Sequence, residues 1–186
     1  MSALLPVALD LTRLTVAVIG DGPRAERRVA LLHDAGARDI RVYTAAPAGR
    51  SLAGVGVVFI ADLPQDEAQD MAEAARRAGA LVNVEDEPAD CDFQSAAVVR
   101  RGDLTMGVWT NGRCPMLARV LRQWLDRLLP ADFGRVLDRL AEDRRRLRAA
   151  RSGTLVLEAA ALRAVSRLPS LHLTKPSLSG RQRLDA

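Results

Sequence analysis

Apolar residues along this chain keep two rhythms: short unbroken runs, and longer stretches in which they return every three or four positions. Unbroken runs of β-branched and aliphatic residues predict strands buried on both faces, and the longer spacing predicts helices with one apolar stripe. Residues 14–19 (LTVAVI) are the first such run. Gly20-Asp21-Gly22 ends it, and from Pro23 the positions Ala25, Val29 and Leu32 fall on one helical face, closed by Gly36 as C-cap. Further strands are predicted over 40–44 (IRVYT), 55–61 (VGVVFIA) and 80–84 (ALVNV), with a helix over 66–78 whose alanines face the sheet and which Gly79 stops. Strand and helix in alternation give an α/β fold with a Rossmann-like parallel sheet. Ahead of it, residues 4–11 (LLPVALDL) predict an extended lead-in packed beside the sheet, with Pro6 keeping it at an edge.

Beyond residue 92 the rhythm changes. Residues 93–101 and 104–110 predict two strands joined by Gly102-Asp103, a hairpin signal. Pro115 then opens a helix over 115–129, because proline's missing N–H costs nothing at a first helical position. Met116, Leu117, Val120, Leu121, Trp124, Leu125, Leu128 and Leu129 give that helix a wide apolar stripe, read as core or dimer packing. Pro130 breaks it. A second helix is predicted over 131–151, apolar through Phe133, Val136, Leu137, Leu140 and Leu147, with seven arginines from Arg135 to Arg151 read as a solvated face. A third follows over 154–166, and the Ser-, Pro- and charge-rich tail 169–186 is expected to be disordered.

A length of 186 residues suffices for one α/β domain and a smaller appendage. Apolar content of 48% with 27% charged residues describes a globular protein. Aromatics at 3% leave no stacking platform for single-stranded nucleic acid, and no helix-turn-helix accompanies the arginine-rich helix. Nucleic acid is therefore not an expected partner. The net charge of +4 comes from arginine and could favour nucleic acid, acidic lipid or a polyanionic small molecule, between which charge by itself does not choose. Cys91 and Cys114, without a secretory signal, point to a reduced cytoplasmic chain. No stretch reaches the ~20 apolar residues of a membrane span.

The candidate chemistry sits where predicted strands end. A strand, a glycine turn and a helix form the first unit of a dinucleotide-binding fold: Gly20 permits the turn, Gly22 admits a pyrophosphate, and Ala25 lets helix and strand pack closely. The second strand ends at Thr44 without the carboxylate that usually binds a ribose 2′-hydroxyl; Thr44 offers a hydroxyl, and Arg41 and Arg50 lie near enough in sequence to meet a 2′-phosphate. NAD and NADP both remain open on these residues. The fourth strand runs into Glu85-Asp86-Glu87. Ligands of open α/β sheets sit beyond the carboxyl ends of strands, so these carboxylates are placed for chemistry; Glu85 and Glu87 read as a solvated acidic turn, and Asp86 stays open between that and function. No His/Cys cluster indicates a fixed metal site.

The order of these parts resembles the precorrin-2 dehydrogenases, including the amino-terminal part of siroheme synthases. LPVALDL leads into VAVIGDGPRAERRVALLHDAGA, then AEAARRAGALVNVED, then LTMGVWTNGRCPMLARVLRQWLDRLLP, whose loop and helix look like the family's S/T-x-G-x-S-P and L-A-R-x-L-R. The likeness runs over residues 4–150. It implies NAD-dependent oxidation of precorrin-2 to sirohydrochlorin, with or without Fe²⁺ insertion, in a homodimer whose central part interlocks two chains. It also implies Asp86 as the catalytic carboxylate, and Gly20, Asp21, Gly22, Pro23 and Arg24 as the cofactor loop. Thr110, Asn111, Gly112 and Arg113 correspond to the substrate loop. Precorrin-2 carries eight carboxylates, which an arginine-rich chain suits. The implied organisation is a dinucleotide-binding domain over 1–90, dimerisation strands and loop over 91–115, and a small helical domain over 116–168. Some positions depart from the pattern. The connection over 45–54 is short, the A-A-T-[DN] turn reads Ile60-Ala61-Asp62-Leu63, and F-I-x-P reads Phe93-Gln94-Ser95-Ala96. Asp62 thus brings negative charge to the expected cofactor site. The alternative to an enzyme is a catalytically degenerate homologue that binds a tetrapyrrole or nucleotide as a carrier, regulator or partner subunit.

Overall fold

The computed structural model describes residues 4–47, 49–149, 155–166 and 168, without the side chains of 49, 50 and 155. The expectations for the Arg50 side chain, Arg151 and the tail 169–186 fall outside the described residues. The chain forms two compact units, Met1–Ser95 with Asn111–Arg113, and Ala96–Thr110 with Cys114–Ala186.

In the first unit β1 (Thr15–Ile19), α1 (Pro23–Asp34), β2 (Asp39–Tyr43), β3 (Val57–Ile60), α2 (Gln65–Arg77) and β4 (Leu81–Val84) follow one another. The four strands are all parallel, in the order β2-β1-β3-β4. Side chains alternate across a strand, so the unbroken apolar runs of β1 and β3 supply both faces. Val16, Val18, Val57 and Phe59 meet Ala25 and Leu32 of α1. On the opposite face Ala17, Ile19, Val58, Ile60, Val82 and Val84 meet Ala68, Ala72 and Ala75 of α2. Gly36 and Gly79, at φ +83 and +88, take the left-handed conformation that ends each helix.

The lead-in does not pack beside the sheet. Residues 4–10 form no strand and are exposed, Leu5 by 82%. Asp10 accepts from Thr12 N at 3.1 Å and starts a 3₁₀ turn, Leu11–Arg13, so local side-chain bonding replaces a ladder that Pro6 could not fully join. Leu11 is the first side chain to reach the core. Residues 93–96 also depart from the expected strand. Asn83 Nδ2 donates to Phe93 O at 2.9 Å, and Val82 N to Asp92 Oδ2 at 2.9 Å. Those bonds turn the segment back onto β4, and Phe93 lands edge-on against Phe59, centroids 5.4 Å apart.

The second unit holds a hairpin, β5 (Ala97–Arg101) and β6 (Leu104–Val108), closed by the two-residue turn Gly102-Asp103. It is followed by α3 (Pro115–Leu128), α4 (Gly134–Ala149) and α5 (Leu155–Ser166). A 3₁₀ turn, Ala131–Phe133, precedes α4, where a continuous helix was expected. The Arg101 guanidinium donates to the Asp126 and Leu129 carbonyls at 2.7 and 2.9 Å, joining hairpin to helix where the α3 dipole favours a cation. Only part of the α3 stripe is covered: Met116, Leu117, Val120 and Leu121 are exposed.

Candidate active site

The sheet order reverses between β1 and β3, and the crevice beyond their carboxyl ends is where an open α/β sheet receives a ligand. Gly20 leaves β1 at φ +141, and a Cβ there would lie 1.7 Å from the Ala61 carbonyl oxygen at the exit of β3. The two exits pass too closely for any side chain. On the other flank Gly20 N donates to Tyr43 O at 2.8 Å, which sets Thr44, exposed at the end of β2, beside the turn.

The first turn of α1 has an unusual cap. Pro23 has no N–H, and Glu26 N donates to Gly22 O at 3.0 Å. Arg24 N and Ala25 N both donate to one oxygen of Asp62, Oδ2, at 2.7 and 3.0 Å. A carboxylate from the exit of β3 therefore caps a helix 38 residues earlier in the chain. Gly22 is extended, and a Cβ on it would lie 2.7 Å from that same oxygen. Asp62 itself stands at φ +56 with its side chain 18% exposed.

Two arginines one helical turn apart on α1 face two consecutive carboxylates after β4. Arg24 Nη1 lies 2.9 Å from Asp86 Oδ2, while its Nε is 3.9 Å from Asp62 Oδ1, so one guanidinium stands between both aspartates. Arg28 pairs with Glu85 Oε2 at 2.5 Å, donates to Ser95 Oγ at 3.1 Å and lies over the Phe59 ring at 4.7 Å. The Arg28 side chain is only 13% exposed, so Glu85 is a partner in a half-buried ion pair rather than part of a solvated turn. Asp86 differs: its side chain is 71% exposed, and its backbone stands at φ +64. Sequence reading missed Arg28, although its spacing from Arg24 and the adjacency of Glu85 to Asp86 carried the signal.

Other candidates are distributed unevenly. Asp21, between the glycines, is exposed. Asn111 and Gly112 turn at φ +52 and +72, and a Cβ on Gly112 would lie 3.3 Å from Pro88 Cγ, so this loop borders the segment that follows Asp86. Arg113, next in that loop, is exposed. Thr110 belongs to the second unit, where its Oγ1 accepts from Cys114 N at 3.4 Å. Arg41 is committed elsewhere: its Nη1 donates to the Ser51 and Ala53 carbonyls at 3.3 and 3.1 Å. Behind β4, Cys91 Sγ accepts from Val84 N at 3.2 Å and lies 3.2 and 3.3 Å from the Val84 and Glu87 carbonyls, and burial pushes its thiol above the usual range. Among the described residues no group of three His, Cys, Asp or Glu side chains is disposed to hold a metal ion, and no helix is long and apolar enough to cross a membrane.

Residues 7–97 match the family model described as "Putative NAD(P)-binding". The siroheme synthase of Methylococcus capsulatus is 36% identical over 160 residues, covering 76% of this chain and 34% of the relative. That of Thiobacillus denitrificans is 33% identical over 154 residues, covering 71% and 32%. The chain is a homologue of the siroheme synthases, with an NAD(P)-binding part over residues 7–97. It spans about a third of the length of these curated relatives. The solved structure of SirC, a precorrin-2 dehydrogenase, has a similar fold, with a TM-score of 0.59 at 22% identity, covering 75% of this chain and 78% of that one.

The site fits the family's dinucleotide. Gly20 and Gly22 form a cradle that a Cβ would fill, and the α1 N-terminus already binds an anionic group, the Asp62 carboxylate.

Proposed function

We propose that the chain catalyses the NAD-dependent dehydrogenation of precorrin-2 to sirohydrochlorin. The observation that carries this reading is the Asp86 carboxylate at the end of β4, exposed yet held by Arg24 of the same helix whose N-terminus binds an anion. Gly20, Asp21, Gly22, Pro23, Arg24 and Thr44 would hold NAD, with Asp62 beside them. Bound NAD⁺ supplies the hydride acceptor. Oxidation of the macrocycle by two electrons releases one hydride and one proton, and Asp86 takes that proton. Arg24 orients the carboxylate at 2.9 Å. Asn111, Gly112 and Arg113, with Thr110, meet the substrate's carboxylate rim through backbone N–H groups and the guanidinium. If Fe²⁺ is also a substrate, the same carboxylate receives pyrrole N–H protons as the ion enters. The working form is a cytoplasmic homodimer, supported by the exposed apolar face of α3.

Anaerobic incubation with precorrin-2 and NAD⁺, following sirohydrochlorin and NADH absorbance together, tests the reading. Both should rise. Asp86→Asn should slow turnover by about 100-fold or more, with unchanged melting and an unchanged two-chain mass by light scattering, because asparagine tolerates the positive φ of this position. Turnover retained in that variant would remove Asp86 from the chemistry. The carrier or regulator reading draws on Asp62 occupying the α1 N-terminus, and tight tetrapyrrole binding without turnover would select it.

A further inference from the structure

Every backbone N–H in the first turn of α1 is already spoken for. Pro23 has none, Arg24 N and Ala25 N go to Asp62 Oδ2 at 2.7 and 3.0 Å, and Glu26 N goes to Gly22 O. Those two donors to Asp62 are the ones a helix N-terminus presents to a dinucleotide pyrophosphate. The fit is intimate, since the carboxylate fills the space a side chain on Gly22 would need. The same guanidinium that would help bind a phosphate, that of Arg24, lies between Asp62 and Asp86.

We propose that Asp62 is a built-in competitor for the cofactor: its carboxylate holds the pyrophosphate position, and a dinucleotide binds only by displacing it. This rests on the dinucleotide-site reading above and adds what sets the affinity of that site. Two anions cannot share the Arg24 and Ala25 N–H groups, so the ligand meets a site open for only a fraction of the time. Its apparent affinity is lowered by that fraction. No bond is made or broken in the exchange; one carboxylate leaves two N–H donors and a pyrophosphate takes them. Asp62 therefore determines cofactor affinity without touching the reacting atoms.

Equilibrium binding of ADP, NAD⁺ and adenosine to the full chain, measured by calorimetry for wild type, Asp62→Asn and Asp62→Ser, tests this. Both variants remove the charge while keeping an oxygen able to accept from α1, and thermal melts identify the folded preparations. ADP and NAD⁺ should bind about tenfold tighter to the variants, as for a site otherwise open about a tenth of the time. Adenosine, which lacks the pyrophosphate, should show no gain. Unchanged or weaker ADP binding in both folded variants overturns the proposal, as does an equal gain for adenosine or no ADP binding at all. Binding gains without any turnover of precorrin-2 would instead sink the dehydrogenase reading and leave the competitor intact.

Discussion

Gly20 and Gly22 belong to one motif yet carry different burdens, and substituting each with alanine separates them. At Gly20 the new Cβ would lie 1.7 Å from the Ala61 carbonyl oxygen on a residue at φ +141. Holding a non-glycine residue there costs on the order of 2 kcal/mol. Relieving the overlap means parting the exits of β1 and β3 by about 1.5 Å, with a packing penalty of similar size. The bond from Ala61 N to Ile19 O, 3.0 Å long, sits at that seam and is lost for about 1 kcal/mol more. Gly20→Ala should therefore cost about 5 kcal/mol, a large share of a typical domain's 5–15 kcal/mol. At Gly22 the backbone is extended and the obstacle is the tip of a side chain, Asp62. Displacing it forfeits a helix cap, about 1 kcal/mol. Urea denaturation followed by circular dichroism reads both values from the midpoints. In an Asp62→Ala background Gly22→Ala should cost almost nothing further, since the two perturbations act on one contact. A loss below about 1 kcal/mol for Gly20→Ala, or equal losses at the two glycines, would refute the close crossing as the reason for Gly20.

Arg28→Ala removes a guanidinium from Glu85, Ser95 and the Phe59 face at once and should cost about 2 kcal/mol by the same denaturation; a change under about 0.5 kcal/mol would mean the pair is ornamental. Iodoacetamide with peptide mapping should label exposed Cys114 well before Cys91, whose thiol is held neutral by burial. Because the unfolded thiol ionises first, near its ordinary 9.0, the stability contributed by Cys91 is intact below that pH and falls as pH rises through the higher folded value. Melting points measured across this range should lose that slope in Cys91→Ala, and an identical slope would assign it to other groups.

Local chemistry made much of the fold legible. Unbroken Val and Ile runs marked the parallel strands, Gly36 and Gly79 the helix ends, and Gly102-Asp103 the hairpin, each because one or two residues dictate the backbone there. The lead-in and residues 93–96 misled for a common reason. Their apolar residues resemble strands, but Asp10 and Asn83 offered the backbone a nearer side-chain partner. At the candidate site the glycine turn and Asp86 stood out by position at strand ends. The bond from Asp62 to α1 spans 38 residues and follows from the β1–β3 crossing, which no local pattern encodes. Sequence separated Asp86 from Glu85 but left Glu85 to solvent, and only the turn of α1 that sets Arg28 against Glu85 and Arg24 against Asp86 reveals its half-buried partner.

That single Arg24 guanidinium, shared between two aspartates, has a consequence for turnover. A pyrophosphate that evicts Asp62 arrives beside Arg24 with more negative charge than the carboxylate it replaces, and competes with Asp86 for the same cation. On the proposed reading, Arg24 would then serve the pyrophosphate and Asp86 together, so that a seated nucleotide acts on the cation that orients the carboxylate. Nucleotide binding and the placing of the Asp86 carboxylate would thus be coupled through one cation, and a seated nucleotide would change how that carboxylate meets a tetrapyrrole.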